Sequence, residues 1–155
     1  MTGTMRSPGR VVAVATTILA LTALALALAP TALASSASSA RSGALHITKE
    51  CSQDTGLADS FCTITASNFS AIAIGSRVVY FQDTSIATIS DIAVVVGPGN
   101  LALGHVNLVG AGPGVVTLSG GTGKFAQFHA RAVVSSTDPL GIVWHWDGTY
   151  RFGDD

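Results

Sequence analysis

Charge is scarce in this sequence: only 11% of its residues are charged. Past residue 34 the basic residues are Arg41, Lys49, Arg77, Lys124, Arg131 and Arg151, each standing alone. With no basic stripe or cluster to follow a row of phosphates, a nucleic-acid partner is excluded, and so is electrostatic docking on anionic lipid. Six bases against nine acids leave that stretch a net charge of −3, with histidines neutral.

Cysteine is scarcer still, with Cys51 and Cys62 the only two. Neither stands near an export cleavage site, so a lipid-modified cysteine is not expected. Their spacing is too wide for a C-x-x-C redox motif. Helical periodicity is also missing after residue 44, where apolar residues do not recur at three-four spacing.

What the chain has in abundance is apolar residues, at 48%, with a mean hydropathy of +0.49. Much of that excess sits in the first third. Arg6 and Arg10 precede an uncharged run over 11–29, then Pro30, then Ala32-Leu33-Ala34. A positive start, an apolar stretch and a small-x-small exit describe a secretory signal, expected to be cut after Ala34. The mature protein is therefore expected to be secreted, with no stable membrane anchor once the segment is removed. In an oxidising compartment an isolated cysteine pair reads as a disulfide, Cys51 to Cys62.

Residues 35–43 are small and polar and read as a flexible leader. From residue 44 to 155 the pattern is short β-rich segments cut by glycine turns. Leu45 and Ile47 alternate with His46 and Thr48, as on a half-buried strand. Further strands are expected at 61–66, 77–82, 89–96, 101–109, 115–119, 124–135 and 142–152. Gly97-Pro98-Gly99-Asn100 supplies one tight turn, and Gly120-Gly121-Thr122-Gly123 another. Turns this regular predict an all-β, antiparallel meander of seven or eight strands, closed into a small calycin-like barrel, with a sandwich as the alternative.

Catalytic motifs are incomplete. Ser119-Gly120-Gly121-Thr122-Gly123-Lys124-Phe125 has Leu118 where a phosphate loop needs its first glycine, and Phe125 where it needs a hydroxyl. No G-x-S-x-G elbow is present. The four histidines, His46, His105, His129 and His145, lack metal-ligand spacing, so neither a metal nor a cofactor is expected.

The glycine stretch does resemble the G-G-T-G-x-F hairpin of the allene oxide cyclase barrel-like and dirigent families, formed here by Gly120, Gly121, Thr122, Gly123 and Phe125. The likeness extends more loosely from Asp91 to Ala132, and is similar to small secreted bacterial barrels without assigned activity. It implies a lumen that either cyclises an unstable fatty-acid epoxide or steers phenoxy-radical coupling. Where dirigent proteins place an arginine and then Ala-Arg-Gly, this chain has Ala126 and Phe128-His129-Ala130.

Strand alternation puts Gln127, His129 and Arg131 on one face of the 124–135 strand, either toward water or toward a ligand cavity. Asp91 and His105 are expected to face each other across the Gly97–Asn100 turn. These five residues are the candidate ligand-lining set. The leading expectation is a lumen that binds a small apolar or oxygenated molecule, and the alternative is a cyclase in which Asp91, His105, His129 or Arg131 positions an oxygen. A third reading uses Trp144 and Trp146 as a sugar platform. Trp144, Trp146, Tyr150 and Phe152 share one face of the last strand, which reads first as core.

Overall fold

The computed structural model describes residues 41–110 and 113–153. The expected signal segment and residues 35–40 of the leader lie outside the described residues.

Eight strands follow one another: β1 (Ser42–Glu50), β2 (Phe61–Ser67), β3 (Arg77–Tyr80), β4 (Thr88–Gly97), β5 (Asn100–Leu108), β6 (Gly114–Thr122), β7 (Phe128–Ser135) and β8 (Val143–Phe152). Each pairs antiparallel with the next, and β8 pairs with β1, so the sheet is a closed barrel in simple chain order. Closure leaves no unpaired strand edge, which answers the alternative of an open sandwich.

Period-two alternation decides which side chains fill the barrel. The inward rows include Leu45 and Ile47 on β1, Cys62 and Ile64 on β2, Ile92 and Val94 on β4, Val116 and Leu118 on β6, and Phe128, Ala130, Ala132 and Val134 on β7. Aromatic rings fill one end of the barrel. Phe69 stacks on Phe128 at 5.5 Å and on Tyr150 at 4.1 Å, and Phe125 meets Phe128 edge-on at 5.3 Å.

β1 starts at Ser42, two residues before the expected boundary. Ser42 and Gly43 pair with Arg151 and Tyr150, and the Phe152 amide donates to the Arg41 carbonyl. Gly43 lies under the Tyr150 ring, where a Cβ would come within 3.2 Å of it.

β3 ends at Tyr80 instead of Gln82. The Phe81 amide is shared between the Asp91 carbonyl at 3.0 Å and the buried Ser90 hydroxyl at 3.1 Å, and the Gln82 amide donates to the same hydroxyl at 3.1 Å.

The glycine hairpin also differs from its expected form. Gly120 and Gly121 remain inside β6, at φ of +79° and +151°, and the turn starts three residues later, as a single 3-10 turn over Gly123–Phe125. Gly121 crosses so close to the Leu101 carbonyl that no Cβ fits there. The β5–β6 register slips nearby, between Ala102 and Gly104, as at a β-bulge. The turn is tied to the Gly97–Asn100 hairpin: the Thr122 hydroxyl donates to the Gly99 carbonyl at 2.9 Å, and the Lys124 amide to Asn100 Oδ1 at 3.1 Å. As a result β7 begins at Phe128, and Lys124 to Gln127 are not strand residues.

Candidate functional site

Opposite the aromatic plug, the barrel holds a cavity of about 480 Å³. Register explains its position: Lys49 on β1 pairs with Trp144 on β8, Trp146 with Val134 on β7, and Thr88 on β4 with Leu108 on β5. Tyr80 of β3, Val106, Leu108, Val134, Trp144 and Trp146 form its walls. The 51–60 and 136–142 loops add a rim, through Asp54 and Ile142 among others.

Lys49 is the residue that gives this cavity chemistry. It continues the inward row of Leu45 and Ile47, and only 4% of its surface is exposed. Its Nζ donates to the Tyr80 phenol oxygen at 2.7 Å and lies 3.3 Å and 3.4 Å from the sulfurs of Cys51 and Cys62. The Tyr80 and Trp144 rings stand 5.4 Å and 5.8 Å from the nitrogen, within cation–π range. Among the described residues no carboxylate reaches ion-pair distance of Nζ.

A charge buried beside neutral partners is held at a cost. Burial pushes the Lys49 ammonium down to about 7, against a smaller upward pull from Asp54. Burial, reinforced by Asp54, pushes the Tyr80 phenol well above its ordinary value, so it keeps its proton. Asp54 itself is occupied by the Gly56 amide at 2.9 Å and the Ser60 hydroxyl at 2.5 Å. The Cys51–Cys62 disulfide is present and fastens the loop that carries Asp54 to β2.

Trp146 also lines the cavity. The residue is 1% exposed, and its indole N–H has no hydrogen-bond partner among the described residues. A buried donor left unmet costs about 1–3 kcal/mol. Trp144, by contrast, donates its N–H to the Gly141 carbonyl at 2.7 Å and so holds the rim loop. Both indoles belong to the inward row of β8, which also carries Tyr150 and Phe152.

The polar residues singled out from the sequence lie elsewhere. Asp91 and His105 do face each other, with Nδ1 to Oδ1 at 3.0 Å, but both side chains are at least half exposed on the outer wall. Their row continues through Thr117 to Arg131 and Thr149, register by register. His129 sits in the neighbouring outer row, opposite Ser119 and Arg151. Gln127 is exposed in the turn before β7, so it does not share a strand face with His129 and Arg131. The inward positions of β7 are the even ones, beginning with Phe128. Exposed ion pairs of this kind contribute about 0–1 kcal/mol, so Asp91 and His105 are weak anchors for the fold.

Comparison with protein-family models, curated proteins and solved structures returns no match for this chain. The fold and cavity define an eight-stranded antiparallel barrel with an internal, amine-bearing pocket.

Proposed function

We propose that this protein is exported and binds one small, mostly apolar molecule bearing an oxygen acceptor, in the cavity beside Lys49. The observation that carries this reading is a buried amine, Lys49 Nζ, held by the Tyr80 phenol in the wall of a cavity that Val106, Leu108, Val134 and Trp146 also line. Apolar surroundings supply affinity, and a few fixed polar groups supply orientation. The volume of about 480 Å³ suits a single medium-chain or one-to-two-ring compound. The signal-like N-terminus supports export.

A thermal-shift series with fatty acids, oxylipins and phenolics tests the reading, with tryptophan emission as a second readout because Trp144 and Trp146 both line the cavity. A ligand at about a hundred times its Kd raises stability by about 2.7 kcal/mol. If no compound shifts melting or emission, the binding reading falls.

The glycine hairpin motif favours kinship with the allene oxide cyclase barrel-like and dirigent families, and with it a second reading in which the same cavity shapes a reactive substrate. On that reading Lys49 and Tyr80 would hold the oxygen, since Asp91, His105, His129 and Arg131 sit on the outer wall. Chiral analysis after supplying an unstable epoxide separates the two readings. A racemic product equal to the no-protein control removes the cyclase.

A further inference from the structure

We propose that Lys49 is an imine-forming lysine whose Nζ condenses reversibly with the carbonyl carbon of a small apolar aldehyde or ketone held in the cavity. The inference rests on the binding reading above and names its ligand class. Its geometric basis is the placement of a primary amine in the wall of a cavity, beside the apolar side chains Val106, Leu108 and Val134, 2.7 Å from a phenol oxygen and out of ion-pair range of every described carboxylate. A solvated, ion-paired lysine keeps its proton at neutral pH and does not attack carbonyls. Desolvation removes that protection and frees the lone pair, in keeping with the depressed Lys49 value of about 7.

The step balances without an oxidant or reductant. The neutral amine adds to the carbonyl carbon, forming a C–N bond, while the C=O electron pair moves to oxygen. That oxygen takes one proton from the nitrogen, with Tyr80 placed to relay it. The carbinolamine then loses its hydroxyl with a second proton from nitrogen, as water, leaving a C=N bond. The reverse reaction returns the amine and the carbonyl compound.

Lys49 and Lys124 are the only lysines of the chain, which gives the test an internal control. The purified protein is incubated at pH 7.5 with octanal and sodium cyanoborohydride, and peptide mapping measures alkylation at each lysine. Lys49 should be alkylated on the order of tenfold or more faster than Lys124, because burial lowers the Lys49 value to about 7 and the cavity holds the aldehyde beside its amine. Octanol, which fills the same space and cannot form an imine, should protect Lys49 and leave Lys124 unaffected. In K49R alkylation should remain only at Lys124.

If octanol binds but Lys49 reacts no faster than Lys124, the imine is overturned and the cavity reading stands. If neither octanol nor octanal binds, both fall. Should K49R fail to fold, octanol protection in the unmodified protein still decides the matter, and an unprotected Lys49 counts against the proposal.

Discussion

Lys49 Nζ lies 2.7 Å from the Tyr80 phenol oxygen, an amine and a phenol buried together with no carboxylate among the described residues at ion-pair distance. The pair joins β1 to β3 across the barrel interior, skipping β2. A core built for stability alone would carry an apolar residue at position 49, because the buried charge opposes folding.

That opposition has a pH signature. The folded Lys49 value is about 7, below the unfolded 10.5. Below pH 7 both states hold the proton and the burial penalty is fully present. Between the two values the unfolded chain binds more protons, so stability rises with pH, by on the order of 5 kcal/mol across the whole window. The groups facing Nζ are Tyr80 from β3, Asp54 from the 51–60 loop and the Trp144 ring from β8. Tyr80 acts only at higher pH, its folded value lying above its ordinary one. Urea unfolding at pH 6.5 and 9.5 should therefore show a more stable protein at 9.5, and Lys49→Met should flatten the difference. At pH 6.5 that variant should exceed the parent by roughly 1–3 kcal/mol, the relief of the charge less the unmet Tyr80 hydroxyl. A parent protein equally stable at both values would contradict the buried amine.

The disulfide is the second lever on the cavity. Cys51 and Cys62 close a short loop that carries the rim residues Ser52, Asp54 and Gly56. In the chain-entropy account such a loop contributes about 3 kcal/mol. Replacing both cysteines with alanine should lower stability by that order and weaken ligand binding, while the far-UV spectrum of the barrel persists. Equal affinity in the variant and the parent would separate the loop from the site.

How far the sequence reveals this arrangement depends on the residue. Strand order follows from short glycine turns, which admit only neighbouring antiparallel pairs, so the meander and its closure were accessible. The face of β7 was not: alanines alternate with Gln127, His129 and Arg131, and alanine suits either side of a sheet. Phe128, buried completely, settles the side. Lys49 was missed for a different reason. The Leu45–Ile47 alternation points inward, and two residues further along the same row stands Lys49, yet a charged residue reads as solvated by default. The strand period carried the signal and the residue type concealed it.

Gly148 tests the packing of the closing seam. It pairs with Leu45 on β1 and Ala132 on β7, and a Cβ there would lie 2.5 Å from the Ala132 Cα and also meet the Arg131 carbonyl. Backbone at that distance cannot move aside as a flexible side chain would. Gly148→Ala should cost about 2–3 kcal/mol through overpacking, read as a lower urea midpoint with an unchanged slope. A neutral substitution would mean that β8 can slide against β7.

Asp138 governs the other half of the rim. Its carboxylate accepts from the amides of Leu140 at 3.1 Å, Ile142 at 2.8 Å and Val143 at 3.1 Å, which wraps the 136–142 loop around one side chain. Those backbone donors hold the Asp138 carboxyl below its ordinary value. A folded value below the unfolded one stabilises the loop above the ordinary carboxylate range, and that support is lost as pH falls through the folded value. Because Leu140, Gly141 and Ile142 line the cavity, the loop and the ligand should respond together. Asp138→Ala should speed amide hydrogen exchange at Leu140, Ile142 and Val143 at neutral pH and reduce ligand affinity, with exchange in β4 and β5 unchanged. Asp138→Asn keeps one carbonyl acceptor and should fall between the two. Protection at those amides that survives in Asp138→Ala would show that the Trp144 indole bond to Gly141 holds the loop without the carboxylate.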